Sequence, residues 1–545
     1  MKISDSARHI IILVMLSLAF FMFGNSLLSL TNPDEVFYAQ TAKEMAQHNT
    51  WMVPYLFDGP QFEKPVLTYW LIRLGYIIFG VTNFGARFFP ALFGLIGALA
   101  VYFFSRAAFK EEKKAFFCAL VMMSAGLYIG LARTVFTDLI FSVFIFLSLG
   151  SFFWAYINNK RKAAGLVLFF VFSGLAVLTK GPLGFLIPVL VGILFLAIRK
   201  ELKFIISRFT LWGLACFILI ALPWYVYIIK IYGREFIQEF FYNDHIRRLF
   251  EAEHSSNDTW YFYPLSALGC MFPWSIFTAA GLVLLFKKVR TSNPVYLYLA
   301  CWIAVVFVVF QAAHSKLVSY ILPMFAAMAV VTGDFIYEAV AGKKRFIRWF
   351  FFINCLIFLF SAAGLFVASS IYSKFVPSRT PVYVLVLLLT VLILWMLNFI
   401  RRKELFKAAF LSMFPLVVIL YFALIMHLNY EAYVSSKMAS SYLLKNHSVE
   451  NTLLVSKFFA RGVRYFTDKK VAIINIRGGD FFSPHPAPYF KTDESAIAFL
   501  RTQDITYGVL RKSAIEDLVR IIDKEFTLEI LKTIGDENVV RIKKL

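Results

Sequence analysis

Charge is scarce in this chain of 545 residues: Asp, Glu, Lys and Arg make up 16% of it, against about a quarter of an average soluble domain. Acids are the scarcer sign, 33 Asp and Glu against 55 Lys and Arg, while hydrophobic residues reach 60% and Phe alone numbers 63. No water-soluble fold hides so much apolar side chain, and a disordered chain would carry far less. Cysteine is also sparse. Cys118, Cys216, Cys270, Cys301 and Cys355 all lie in apolar stretches without a CxxC pair, which excludes a disulfide framework and leaves small core residues. A Walker loop, an HExxH pair, a nucleophile elbow and a dinucleotide-binding glycine pattern are missing, so no nucleotide cofactor is expected. Internal repeats and low-complexity segments are missing too.

What is present is a succession of apolar runs, each long enough to cross a hydrocarbon layer of about 30 Å. They fall near 9–31, 89–109, 115–133, 139–157, 163–179, 182–198, 209–229, 264–286, 295–313, 317–337, 349–371, 381–400 and 408–428. The expectation is an α-helical polytopic membrane protein of about 13 transmembrane helices. The first run is too long for a signal-peptide core and has no small-residue cleavage site, so it reads as a retained helix. Short basic linkers occupy alternate junctions: Lys110–Lys114, Lys160–Lys162, Arg199–Arg208, Lys287–Arg290, Lys343–Arg348 and Arg401–Lys407. With the N-terminus (Lys2, Arg8) they hold 23 Lys and Arg against 5 Asp and Glu. The positive-inside rule puts them in the cytoplasm, and thirteen crossings then put the C-terminus outside. The formal net charge of +22 is thus a topology signal. It does not mark nucleic-acid binding, because the dense basic clusters are short linkers.

Residues 430–545 differ in composition, with strand-like runs at Val471–Ile476 and Thr506–Leu510 and helical patterns at Ser495–Arg501 and Ala514–Asp523. The division expected is a transmembrane domain, 1–429, and a soluble α/β domain, 430–545, on the outer face. The outside loops 32–88 and 230–263 carry most of the remaining charges. Ionisable groups at the membrane cost enough that those beside tight turns ask for a functional explanation.

Each candidate has a structural and a chemical reading. Asn32-Pro33-Asp34-Glu35 suits a helix start, with Asn32 as N-cap and two acids on the dipole, ahead of an amphipathic interfacial helix at Tyr38–Gln47. It equally suits a carboxylate held at the bilayer boundary to accept a proton. Glu63-Lys64 is a solvated pair, or a carboxylate beside a phosphate-binding lysine. Asp138 complements a helix N-terminus or assists chemistry. Lys180, in a very short turn, snorkels or meets a second phosphate oxygen. His245 and Arg248 lie in the second outside loop, where a lone histidine is a structural residue or half of a zinc site. His314, Lys316 and Tyr320 follow between two later helices.

Taken in order, these motifs resemble the membrane glycosyltransferases that use a polyprenyl-phosphate sugar as donor. That family includes the protein O-mannosyltransferases and the aminoarabinose transferases of lipid A. The matching elements are Pro33-Asp34-Glu35 with Tyr38, Phe62-Glu63-Lys64-Pro65 with Tyr69-Trp70, Asp138, and Thr179-Lys180-Gly181-Pro182. They continue with His245 and Arg248, Pro273-Trp274, and Ser315-Lys316-Leu317 with Tyr320-Ile321-Leu322-Pro323. The resemblance implies a C-type glycosyltransferase fold and chemistry on the outer face. By that analogy Asp34 is the principal catalytic carboxylate and Asp138 its assistant. Lys64, Lys180, Arg248, Tyr320 and Tyr38 hold the donor phosphate, and Glu63 and His245 share a divalent metal, zinc by preference. Three departures stand out: Val36-Phe37 where the lipid A enzymes commonly carry an arginine before the tyrosine, Gln61 where they often have a tyrosine, and Val66 in place of a second proline.

The expected function is transfer of one sugar, 4-amino-4-deoxy-L-arabinose among the candidates, from undecaprenyl phosphate to lipid A or another envelope acceptor. The transfer is expected on the periplasmic side of a bacterial inner membrane and with inversion. Protein O-mannosyl transfer differs in acceptor. A polyprenyl-phosphate-sugar flippase would place polar residues through the middle of the bundle, whereas here they gather at helix ends.

Overall fold

A computed structural model describes residues 4–253, 255–291, 293–476, 478–479, 486–522 and 525–545. Lys2 of the N-terminal basic group and Asp523, the expected end of the last helix, lie outside them. Among the described residues ten helices are long and apolar enough to span a membrane, and two bent pairs bring that to twelve. The sixth expected span appears as the shorter apolar helix Leu183–Arg199, so each of the thirteen runs has a helical counterpart. The protein is a multi-pass membrane protein.

By packing, the chain forms two compact units: one of Met1–Phe23, Lys64–Thr68 and Phe88–Ala423, the other of Gly24–Glu63, Tyr69–Arg87 and Leu424–Leu545.

In the first unit the opening helix ends at Met22, short of the apolar run, because Gly24 turns to φ +75°. Arg133 donates to the carbonyls of Phe20 (3.0 Å) and Phe23 (2.9 Å), satisfying orphan acceptors at that helix end. The pair Glu112–Met123 and Gly126–Ala132 bends by 67°, and Phe262–Cys270 and Ser275–Lys288 by 117°. The two breaks are stitched to each other. Trp274 Nε1 donates to Ser124 Oγ (2.9 Å), and the Gly126 amide donates to the Phe272 carbonyl (2.9 Å). Lys114, from one of the basic linkers, turns inward to Asp334 (2.8 Å), whose other oxygen takes Lys288 (2.6 Å). A charge buried in a helix interior is tolerated only when paired in this way.

The second unit contains a two-residue hairpin, β1 (Tyr55–Leu56) with β2 (Gly59–Pro60), and a six-stranded sheet. The sheet strands are β3 (Leu453–Ser456), β4 (Val471–Ile474), β5 (Tyr489–Phe490), β6 (Ile505–Leu510), β7 (Phe526–Ile534) and β8 (Glu537–Lys544), in the order β5-β4-β3-β6-β8-β7. β5, β4, β3 and β6 are parallel, while β8 joins β6 and β7 antiparallel. Ala460–Thr467 is the crossover between the parallel neighbours β3 and β4, and Asp493–Arg501 returns the chain from the edge strand β5 to β6. The core is Leu454, Ile474, Leu500, Leu510, Leu518 and Val540. Every residue of β3 and β4 is buried, as parallel strands covered on both faces require.

The helix Asp34–Gln47 belongs to this unit and is not the amphipathic interfacial helix expected: ten of its fourteen residues are buried. Asn32 does not cap it either. Its Nδ2 donates to Ser436 Oγ (2.7 Å), and its amide donates to the Val434 carbonyl (2.8 Å). Ser436 Oγ passes the chain on to Glu537 Oε1 (2.5 Å) at the start of β8. Burial pushes the Glu537 carboxyl up from 4.5 to about 8. The folded state therefore binds a proton there that the unfolded chain releases above pH 4.5. Stability should be full below that pH and fall by a few kcal/mol as pH rises toward 8, levelling beyond. Glu537→Gln should flatten the slope, read by hydrogen exchange of β8 against pH.

Candidate active site

In the first unit, helix ends bring three cations into one cluster. Lys180 closes the helix Lys162–Lys180 and ion-pairs with Asp138 in the first turn of Thr137–Ile157. It does not snorkel: its side chain is 13% exposed, and its ammonium lies 4.2 Å over the Tyr320 ring. Lys64 ion-pairs with Asp244, and Arg248 reaches the other oxygen of Asp244 (3.1 Å), Glu253 (2.7 Å) and the Tyr320 hydroxyl (3.0 Å). Tyr320 thus touches both Lys180 and Arg248. Asp138, Lys64, Lys180, Arg248 and Tyr320, all candidates from the sequence, lie in one cluster.

Asp244 was missed, although it sits four residues before Arg248. That spacing places both on one helical face, so the pairing with Arg248 was legible, whereas the pairing with Lys64, 180 residues away, was not. Lys316 does not join the cluster. It pairs with Asp258 (2.6 Å), which also takes His314 Nδ1 (2.7 Å), and these two partners hold the Asp258 carboxyl below its ordinary range.

His245 Nδ1 is 2.7 Å from the Phe240 carbonyl. A carbonyl can only accept, so Nδ1 carries the hydrogen in that contact, and the ring has a second backbone partner at Lys180. The ring packs against Gly181, where φ is +103° and an added Cβ would stand 2.5 Å from His245 Nε2 and 3.0 Å from the Phe240 ring. Gly181 therefore satisfies two demands, a backbone conformation closed to L side chains and a close approach.

In the second unit, Glu35 is fully buried and Asp34 is 58% exposed. Arg87 clasps Glu35 with two bonds, Nε to Oε1 (2.8 Å) and Nη2 to Oε2 (2.6 Å), and spends its other donors on the carbonyls of Asn25, Leu28 and Ser29. Thr31 donates its amide and hydroxyl to Glu35 (3.1 and 2.9 Å). Of the acidic pair, Glu35 is structural and Asp34 is the one presented. Glu63 lies 4.0 Å from Arg461, which is also 3.9 Å from Asp34. Glu63 faces Arg461, and Lys64 ion-pairs with Asp244. Tyr38 is buried, its ring 6.1 Å from Tyr69. Gln61 donates to the Tyr69 hydroxyl (2.7 Å) and accepts from the Glu63 amide (3.0 Å), which sets the backbone before Lys64. Arg461 carried no local signal, being 427 residues from Asp34 in sequence.

Gly181→Ala should lower stability by about 1–3 kcal/mol through strain and the clash with His245. Gly130→Ala, with nothing within 4 Å of the added carbon, should be neutral or stabilise by about 0.4–1 kcal/mol. Thermal unfolding of the two variants in detergent checks the difference.

The family description "Dolichyl-phosphate-mannose-protein mannosyltransferase" matches residues 6–232. An undecaprenyl phosphate-alpha-4-amino-4-deoxy-L-arabinose arabinosyl transferase of Proteus mirabilis is 30% identical over 353 residues, 63% of this chain and 62% of the relative. The match thus spans less than two thirds of that relative's length. An uncharacterised protein of Aquifex aeolicus is 31% identical over 359 residues, 65% of this chain and 68% of the relative. Among solved structures, ArnT from Cupriavidus metallidurans in the apo state superposes with a TM-score of 0.79 at 19% identity, over 99% of this chain and 98% of the other. The same protein bound to undecaprenyl phosphate gives 0.77 at 18% identity, over 97% of each. The fold is that of the C-type glycosyltransferases, shared with ArnT, and the chain is similar in sequence to the polyprenyl-phosphate-sugar-dependent membrane glycosyltransferases.

Proposed function

We propose that the protein transfers a single sugar from undecaprenyl phosphate to lipid A or another envelope acceptor at the periplasmic face of a bacterial inner membrane. The sugar favoured is 4-amino-4-deoxy-L-arabinose, which the names of the relatives carry. The observation that carries the reading is the convergence of Lys64, Lys180 and Arg248, from three distant chain segments, around Asp244, Asp138 and Tyr320. Three cations already oriented by carboxylates suit a phosphate whose charge grows as it leaves, because no reorganisation is needed at the moment of reaction. Arg248 adds a planar fork and the lysines compact charges.

Asp34 is assigned as general base. The acceptor hydroxyl gives its proton to the Asp34 carboxylate as its oxygen bonds to the anomeric carbon. The bond from that carbon to the phosphate oxygen breaks, and undecaprenyl phosphate departs with the electron pair. One displacement inverts the centre. If the acceptor is a phosphate, already ionised, Asp34 only positions it. Asp138 assists by holding Lys180, and Tyr38 is assigned to the donor side with Tyr320. The basic linkers support a cytoplasmic N-terminus and a periplasmic C-terminus.

Zinc at Glu63 and His245 takes no part in the proposal: the His245 ring meets the Phe240 carbonyl and the Lys180 backbone, and Glu63 lies 4.0 Å from Arg461.

A protein O-mannosyltransferase is the second reading, favoured by the family match over residues 6–232. Mass spectrometry of lipid A, glycans and envelope proteins from a deletion strain should show one class losing a sugar, and loss from proteins alone would replace the first reading with the second. Asp34→Asn should lower transfer by roughly 10²–10⁴-fold in a folded protein. Normal turnover by that variant would sink the assignment.

A further inference from the structure

We infer that Arg461, delivered by the C-terminal segment, is a positioning residue for Asp34; the inference rests on the reading of Asp34 as the base. Arg461 lies in the first turn of the helix Ala460–Thr467, which follows β3. Its Nη1 is 3.9 Å from Asp34 Oδ1 and its Nη2 is 4.0 Å from Glu63 Oε1. Nη1 also points to the Pro33 carbonyl (3.5 Å), and the guanidinium carbon stands 4.7 Å from the centre of the Phe37 ring. The arginine side chain is 13% exposed beside a carboxylate that is 58% exposed. Its charge is held from below while Asp34 stays accessible.

The helix that carries Arg461 has one register available to it. Three residues on, Arg464 pairs with Glu44 (3.0 Å) and Asp58 (2.7 Å). Gly462 lies against Asn32 and Ser436, too close for any Cβ. Lys43 reaches the Tyr465 carbonyl (3.0 Å) and Asp468 (2.7 Å). A one-residue slip would break all of these at once. Stability alone would be served by the Arg464 and Lys43 contacts. Arg461 adds a cation between two carboxylates, which keeps them from repelling one another and fixes the direction in which Asp34 faces a proton donor.

The donor phosphate is assigned to other cations, so Arg461 should act on turnover and not on donor binding. With the donor and acceptor identified by the envelope analysis, Arg461→Ala should lower kcat roughly tenfold to hundredfold, as a misplaced group does. The donor KM and undecaprenyl phosphate binding should stay within about threefold of wild type. Arg461→Lys should fall between the two. Arg461→Ala combined with Phe37→Arg should recover turnover, because position 37 lies directly beneath the guanidinium and can return the charge from another backbone site. An unchanged kcat in Arg461→Ala alongside an inactive Asp34→Asn overturns the role of Arg461 alone. An active Asp34→Asn, or a wild type without transfer, overturns the reading beneath it. A loss in Arg461→Ala that tracks a lowered melting temperature, and that neither lysine nor the relocated arginine repairs, shows a merely structural arginine.

Discussion

The second unit depends on the buried pair of Glu35 and Arg87. Taking two charges out of water costs several kcal/mol per ion, recovered only when geometry is good and every remaining lone pair and proton is used. Here that condition is met. Glu35 takes four hydrogen bonds, from Arg87 and Thr31, and Arg87 also satisfies three backbone carbonyls between Asn25 and Ser29. The pair therefore organises the chain from Gly24 into the helix Asp34–Gln47. Because it draws Glu35 inward, the neighbouring Asp34 must face outward. One burial decision assigns structure to one carboxylate and accessibility to the next.

The first unit solves a different electrostatic problem. Lys64, Lys180 and Arg248 are each largely buried, and each faces a carboxylate: Asp244, Asp138, or Asp244 with Glu253. Apposed cations without those acids would repel one another in a low dielectric. Tyr320 joins the subsets with a ring face toward Lys180 and a hydroxyl toward Arg248. The result is a set of positive groups held apart at fixed directions, and the proposed function gives them a phosphate to meet.

The C-terminal segment gains a role beyond a folded appendage. The strands near Val471 and Thr506 and the helices near Ser495 and Ala514 were readable from period and composition, and each is found. That the segment folds into one unit with Gly24–Glu63 and Tyr69–Arg87 was not readable. The contacts responsible, Arg461 to Asp34, Arg464 to Glu44 and Asn32 to Ser436, join residues about 400 positions apart. Phe37 stood out as a departure for lacking an arginine, and the guanidinium above it comes from position 461.

Hydropathy and linker charge were enough to reveal the helices of the membrane unit, since crossing a bilayer imposes length and composition on each span separately. Ordered motifs were enough to name the residues of the cation cluster, because each sits beside a short turn in an apolar background. Side-chain direction had to await the packed chain. Asp34 and Glu35 are neighbours with the same chemistry, and only Arg87 decides which is buried. Asn32 looked like a cap until Ser436 claimed it, and Asp244 gained its place between Lys64 and Arg248 from the fold of residues 230–263. Local patterns record what a segment needs from its solvent, while a partner hundreds of residues away leaves no trace in them.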